Sequence, residues 1–145
     1  MSDEPIRLAF VCVQNAGRSQ MATAFAERVR DRRGFEDHVE ILTGGTDPAD
    51  SVHDVVVEVM QEEEIDLSGR EPRTITTEEL ASCDYVAAMG CSTLELDPDA
   101  DVEVRDWALR DPHGEDVGTV REIREEVRER VVSLFDEIAA APERS

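Results

Sequence analysis

Lysine is absent from this 145-residue chain. All 15 basic side chains are arginine, set against 35 aspartates and glutamates, for a formal net charge of -20. An excess of that size repels itself in dilute salt. In molar salt the Debye length falls to about 3 Å and the repulsion is screened. The composition therefore suits a salt-filled cytosol, with an ordinary acidic protein as the plainer alternative. Nucleic acid and anionic membrane are poor partners for such a surface. Aromatic residues are only 4% of the chain, with one Trp and one Tyr, so the core must be largely aliphatic. Three cysteines, an odd number, do not make a disulfide framework, and a reduced, cytoplasmic protein is expected. No run of about 18 apolar residues is present, so no membrane span is expected. No apolar stretch follows a basic start, so no secretory signal is expected either.

Leu, Ile, Val and Phe together make up about a quarter of the residues, above the roughly 20% below which highly charged chains stay disordered. The length suits one domain, 1–145. Ile6 to Cys12 is a nearly continuous apolar run that suits a strand buried on both faces. From Arg18 to about Arg32, Met21, Ala22, Phe25, Ala26 and Val29 recur at helical spacing. Val39 to Thr43 reads as a second strand, closed by Gly44 and Gly45. A helix is expected from about Ser51 to Glu63, and Thr77 is expected to cap a short helical turn. Asp84 to Met89 reads as a third strand and Val102 to Val104 as a short fourth. The last helix is expected from about Gly118 to Ala140. This alternation predicts an α/β fold, a four-stranded parallel sheet flanked by helices. In such a sheet, ligands bind beyond the C-terminal ends of the strands. The positions to inspect are therefore those after Cys12, Thr43, Met89 and Val104.

Cys12 stands at the first of them and opens a Cys-x5-Arg-Ser segment. A loop between a buried strand and a helix start can turn its N–H groups toward one centre. The donors here would be those of Val13, Gln14, Asn15, Ala16, Gly17, Arg18 and Ser19. The helix N-terminus adds its positive end. A tetrahedral oxyanion fits there, and Arg18 can clamp two of its oxygens. The same field favours a thiolate at Cys12, hence a nucleophile, and Ser19 can donate to it. Asn15 and Gly17 tolerate the left-handed backbone that a tight cradle needs. Asp111, before Pro112, lies beyond the last expected strand on the same rim. A carboxyl there can protonate a leaving oxygen and then activate water. Cys91 follows the third strand, again on that rim. Cys83 lies eight residues earlier, about 26 Å along an extended path, so it is expected at the opposite end of the sheet as a small apolar residue. The three histidines and the cysteines share no metal-ligand spacing, and no metal is expected.

The segment VCVQNAGRSQMATAF resembles the phosphate-binding loop of the low-molecular-weight protein tyrosine phosphatase superfamily. Within it, NAGRSQMA is most similar to arsenate reductases that use thioredoxin or mycothiol. The likeness continues through GGTDPADSVHDVVVEVM, DYVAAMGC, DWALRDPHG and VREIREEVRERV, nearly the whole chain in order. It implies a single phosphatase-like domain and a catalytic set of Cys12, Arg18, Asp111 and Cys91. It implies no metal or organic cofactor, only a thiol reductant such as thioredoxin or a low-molecular-weight thiol. Cys12 would attack arsenate and Cys91, or an external thiol, would release arsenite. The resembling reductases often carry a further Cys four residues after this one; here it is Glu95, so a relay along that segment is not available. The alternative implied activity is phosphomonoester hydrolysis through a cysteinyl-phosphate. Against it, Gly17 stands where phosphatases usually have a second loop Cys, and His113 and Gly114 follow Asp-Pro where aromatics often grip a phenyl ring.

Overall fold

The computed structural model describes residues 6–12, 15, 17–35, 37–45, 47–89, 102–107, 109 and 114–140. Four strands, β1 (Ile6–Cys12), β2 (Val39–Gly45), β3 (Tyr85–Met89) and β4 (Glu103–Asp106), form one parallel sheet in the order β2-β1-β3-β4. The helices are α1 (Arg18–Arg32), α2 (Asp54–Gln61), α3 (Thr77–Ala81) and α4 (Val117–Ala140). The expected α/β architecture is therefore observed.

β1 is central because both its faces are apolar. Leu8, Phe10 and Cys12 join Tyr85, Ala87 and Met89 on one side, packed with residues of α1, α2 and α4. Ala9 and Val11 join Val86 and Ala88 on the other, against Ile75, Leu80 and Cys83. Fully burying a side chain such as Leu8 or Phe10 stabilises the fold by about 1.5–3 kcal/mol. The stripe Val120, Ile123, Val127, Val131, Leu134, Phe135 and Ile138 places α4 on the first face. Trp107, just past β4, packs its ring on Phe10 at 5.9 Å between centroids.

The register brings the strand ends together at one rim, where Cys12 lies between Gly45 and Met89. The segment before α3 also reaches this rim. Gly45 donates its N–H to Arg73 O at 2.8 Å, and a parallel bridge joins Gly45 to Thr74. Gly44 permits that approach, since a Cβ there would lie 2.4 Å from Ile75 Cβ. β2 accordingly runs through both glycines rather than stopping at Thr43. The cap of α3 is Thr76, one residue before the expected Thr77. Its hydroxyl accepts from Glu79 N, and the Glu79 side chain accepts from Thr76 N, a capping box. The expected fourth strand is displaced from Val102–Val104 to Glu103–Asp106.

At the opposite end of the sheet, Cys83 is buried with its thiol on Glu79 O at 3.3 Å. Burial pushes that thiol up to about 11. The reading of Cys83 as a small apolar residue holds in the fold.

Candidate active site

Cys12 is 3% exposed and ends the central strand. α1 begins six residues later, with Gly17 as N-cap and no acidic residue in its first turn. In a chain this acidic, that omission leaves the positive helix end unneutralised from within its own first turn. Arg18, Ser19 and Gln20 in that turn are all buried.

Among the described residues, two polar groups meet the Cys12 sulfur. Asn15 N–H donates to Sγ at 3.2 Å, and Ser19 Oγ lies 2.9 Å from it. The direction of the second contact follows from the groups behind it. Arg73 N–H donates to Asn15 Oδ1 at 3.0 Å, which fixes which end of the Asn15 amide is oxygen. Asn15 Nδ2 then donates to Ser19 Oγ at 2.7 Å and to Thr43 Oγ1 at 3.0 Å. Thr43 spends its own hydrogen on Phe10 O at 3.1 Å. With Asn15 supplying a donor to Ser19 Oγ, the Ser19 hydrogen is left to point at sulfur. A thiolate at Cys12 would thus accept from Asn15 N–H and Ser19 Oγ–H together.

Asn15 is wholly buried and holds φ at 52°, the left-handed region expected of it. Gly17 is not left-handed: its φ is -142°, so among the described residues of the loop the left-handed position is Asn15. Gln20 Nε2 donates to both Asn15 O and Asn15 Oδ1, at 3.0 and 3.1 Å. Thr23 Oγ1 donates to Ser19 O at 2.7 Å. Arg18 is 8% exposed, and its Nη1 donates to Leu109 O at 3.1 Å, two residues before Asp111.

Of the residues expected from sequence, the fold brings Cys12, Asn15, Gly17, Arg18 and Ser19 together. Val13, Gln14, Ala16, Cys91 and Asp111 lie outside the described residues. Sequence reasoning missed Gln20, Thr43 and Arg73. Thr43 was signalled by its place at the end of the expected second strand, and Gln20 by following Arg-Ser directly. Arg73 contributes only a backbone N–H, which leaves no trace in side-chain type. Among the described residues no three His, Cys, Asp or Glu are grouped to hold a metal ion. No helix among them is long and apolar enough to cross a membrane.

Comparison with known proteins adds a family to this geometry. The model of the low molecular weight phosphotyrosine protein phosphatases matches residues 7–143. The chain belongs to that family. Within its reach, a protein of Halobacterium salinarum that carries the provisional name arsenate reductase is 65% identical over 136 residues, covering 94% of this chain and 95% of its own. A glutaredoxin arsenate reductase of Synechocystis is 30% identical, covering 92% of this chain and 98% of its own. Among solved structures, a thioredoxin-dependent arsenate reductase of Corynebacterium glutamicum superposes with a TM-score of 0.78 at 30% identity. That match covers 96% of this chain and 64% of the other, so this chain spans just under two thirds of it. The family membership agrees with the resemblance read from the Cys-x5-Arg-Ser segment, and the fold is the one that resemblance implied.

Proposed function

We propose that this protein is a thiol-dependent arsenate reductase of the cytoplasm, working in high salt. The observation that carries the reading is the 65% identity, over 94% of the chain, to the Halobacterium relative named for that activity. The Synechocystis and Corynebacterium proteins, at 30%, extend it to reductases named for glutaredoxin and thioredoxin. The site supports it chemically, since a buried sulfur faced by two donors at a helix start suits a nucleophile and an oxyanion alike.

In this reading the N–H groups of residues 13–19 and the Arg18 guanidinium hold arsenate beside Cys12. The Cys12 thiolate attacks arsenic, and one oxygen leaves as water with a proton from Asp111. A second thiolate, from Cys91 or an external thiol, then attacks the Cys12 sulfur. A sulfur–sulfur bond forms and the sulfur–arsenic bond breaks. Its electron pair stays with arsenic, which departs as arsenite, while two thiols have become a disulfide. A thioredoxin-like protein or a small thiol returns the disulfide to thiols. Asp111 and Cys91 enter on sequence alone.

A single turnover in molar KCl tests the scheme. Reduced protein meets arsenate without added thiol, and arsenite and intact mass are read together. One arsenite per chain with loss of two hydrogens, mapped to Cys12 and Cys91, is the expected result. Arsenite formed only with added thiol assigns the second step to an external thiol. No arsenite under either condition overturns the reductase reading. Phosphomonoester hydrolysis then takes its place, a reading supported by the family's phosphatase description, in which Cys91→Ser leaves turnover intact and Asp111→Asn slows it.

A further inference from the structure

We propose that Gln20 is a positioning residue of the oxyanion cradle, acting by clamping Asn15 in the conformation that aims two donors at Cys12. The inference rests on the oxyanion reading of the Cys12 loop and adds a residue to it.

Gln20 is 1% exposed, in the first turn of α1. One nitrogen, Nε2, donates to both the backbone and side-chain carbonyls of Asn15. The amide can face Asn15 only this way, because the flipped group would set an oxygen against two acceptors. In that orientation Oε1 is buried with no hydrogen-bond donor among the described residues. An apolar side chain of the same length would leave no such atom, so the donations to Asn15 are what the polar group contributes here.

Asn15 needs this hold. A non-glycine residue at φ 52° persists where its surroundings over-determine it. Its side chain has other partners in Arg73, Thr43 and Ser19. Its backbone carbonyl is held, among the described residues, by Gln20. Two routes then run to the sulfur: Asn15 N–H directly, and Asn15 Nδ2 through Ser19 Oγ. Both depend on the backbone and rotamer of one residue, and Gln20 touches both. It does not touch Cys12 in the described contacts, so it acts through Asn15.

The test is protection of Cys12 from iodoacetamide by inorganic phosphate, in molar KCl, with labelled peptides mapped by mass. Buried Cys83 serves as the folding control, since it labels only when the chain opens. Gln20→Met should raise the half-protecting phosphate concentration about tenfold, the scale of a lost buried hydrogen bond, with Cys83 unlabelled. Gln20→Glu should show at least as large a deficit at pH 8. Relative to wild type at the same pH, that deficit should shrink at pH 5.5, because a protonated carboxyl can donate where a carboxylate cannot. Protection within twofold of wild type in Gln20→Met, with Cys83 unlabelled, overturns the inference. So does a Gln20→Glu deficit unchanged between the two pH values, whatever Gln20→Met does. Labelling of Cys83 in both variants makes Gln20 a residue of the fold and overturns the positioning role. Absence of protection in the wild-type chain overturns the oxyanion reading itself, and this inference falls with it.

Discussion

The polar assembly around Cys12 and the one between α2 and α4 are built by opposite rules. Around Cys12, buried and half-buried neutral groups are joined with nearly every donor and acceptor accounted for: Asn15, Ser19, Thr43, Gln20 and the Arg73 N–H. Where α2 meets α4, full charges do the joining near solvent. Glu62 takes both Arg121 and Arg124, Arg124 also donates to Val59 O at 2.8 Å, and Glu125 links Arg124 to Arg128. Neutral groups can be buried without large desolvation provided each is satisfied, so they can fix a nucleophile's geometry at any ionic strength. Charged pairs in contact at 2.7–3.0 Å are closer than even the roughly 3 Å Debye length of molar salt. The repulsion among distant carboxylates is not. A chain of net charge -20 thereby keeps its short-range pairs in the salt that removes its long-range strain.

Breaking each assembly at its centre exposes the difference. The largest effect belongs to the sulfur itself. Cys12→Ser should lower arsenite formation by roughly 10⁴-fold or more, the scale of a lost nucleophile, measured by arsenite release in a single turnover. Its melting temperature should barely change. Next, Asn15→Ala strands the Arg73 N–H, takes a donor from Ser19 and Thr43, leaves Gln20 only the backbone carbonyl, and puts Ala in a left-handed conformation. A loss of about 3 kcal/mol or more is expected, read by denaturant unfolding with Trp107 fluorescence as the signal. The matching deletion at the charged seam, Arg124→Ala, removes one buried guanidinium from Val59 O and leaves Glu62 still paired with Arg121. It should cost about 1–3 kcal/mol. An Arg124→Ala loss larger than that of Asn15→Ala would invert the comparison. Gly44→Ala sharpens it from the backbone side. The added Cβ meets Ile75 at 2.4 Å and should cost about 1–3 kcal/mol through overpacking, with added loss of oxyanion protection as Arg73 moves off Asn15.

The neutral assembly was half legible in the sequence and the charged one almost wholly hidden. Cys12, Arg18 and Ser19 announce themselves because a strand, a Cys-x5-Arg-Ser spacing and a helix start fall in order along fifteen residues. Strand β1 and helix α1 are found at the residues their apolar periods mark, since local patterning decides both. The short elements drifted because few residues vote: β4 slipped by one or two positions, and the cap of α3 moved from Thr77 to Thr76. Asn15 was legible as a left-handed residue but not as a hub, because its partners Thr43 and Arg73 are 28 and 58 positions away. Alternating Arg and Glu along α4 carry a pattern that suggests pairs within that helix alone. The fold instead spends Arg121 and Arg124 on Glu62, 59 and 62 positions distant, a pairing only the packing of α2 on α4 could set.

The smallest expected effect tests whether that seam is truly a matter of charge. The Arg121 and Arg124 guanidiniums hold the Glu62 carboxyl down, from 4.5 to about 2. A carboxyl lowered on folding contributes stability that is complete above its unfolded value and is lost as pH falls through its folded value. The window is therefore from about pH 4.5 down to about pH 2, and near neutral pH the contribution of Glu62 is complete and does not vary with pH. Asp66, Glu79 and Asp116 are lowered as well, by Ser68, Thr76 and Thr119 respectively, so the acid limb of the whole protein is not diagnostic. The difference between wild type and Glu62→Gln is. In molar KCl the wild-type chain should melt slightly higher than the variant at pH 6, and the gap should narrow steadily from pH 4.5 downward. A gap that stays constant to pH 3 would mean that Glu62 joins the helices by shape and hydrogen bonding rather than by its charge. The seam would then follow the same rule as the site around Cys12.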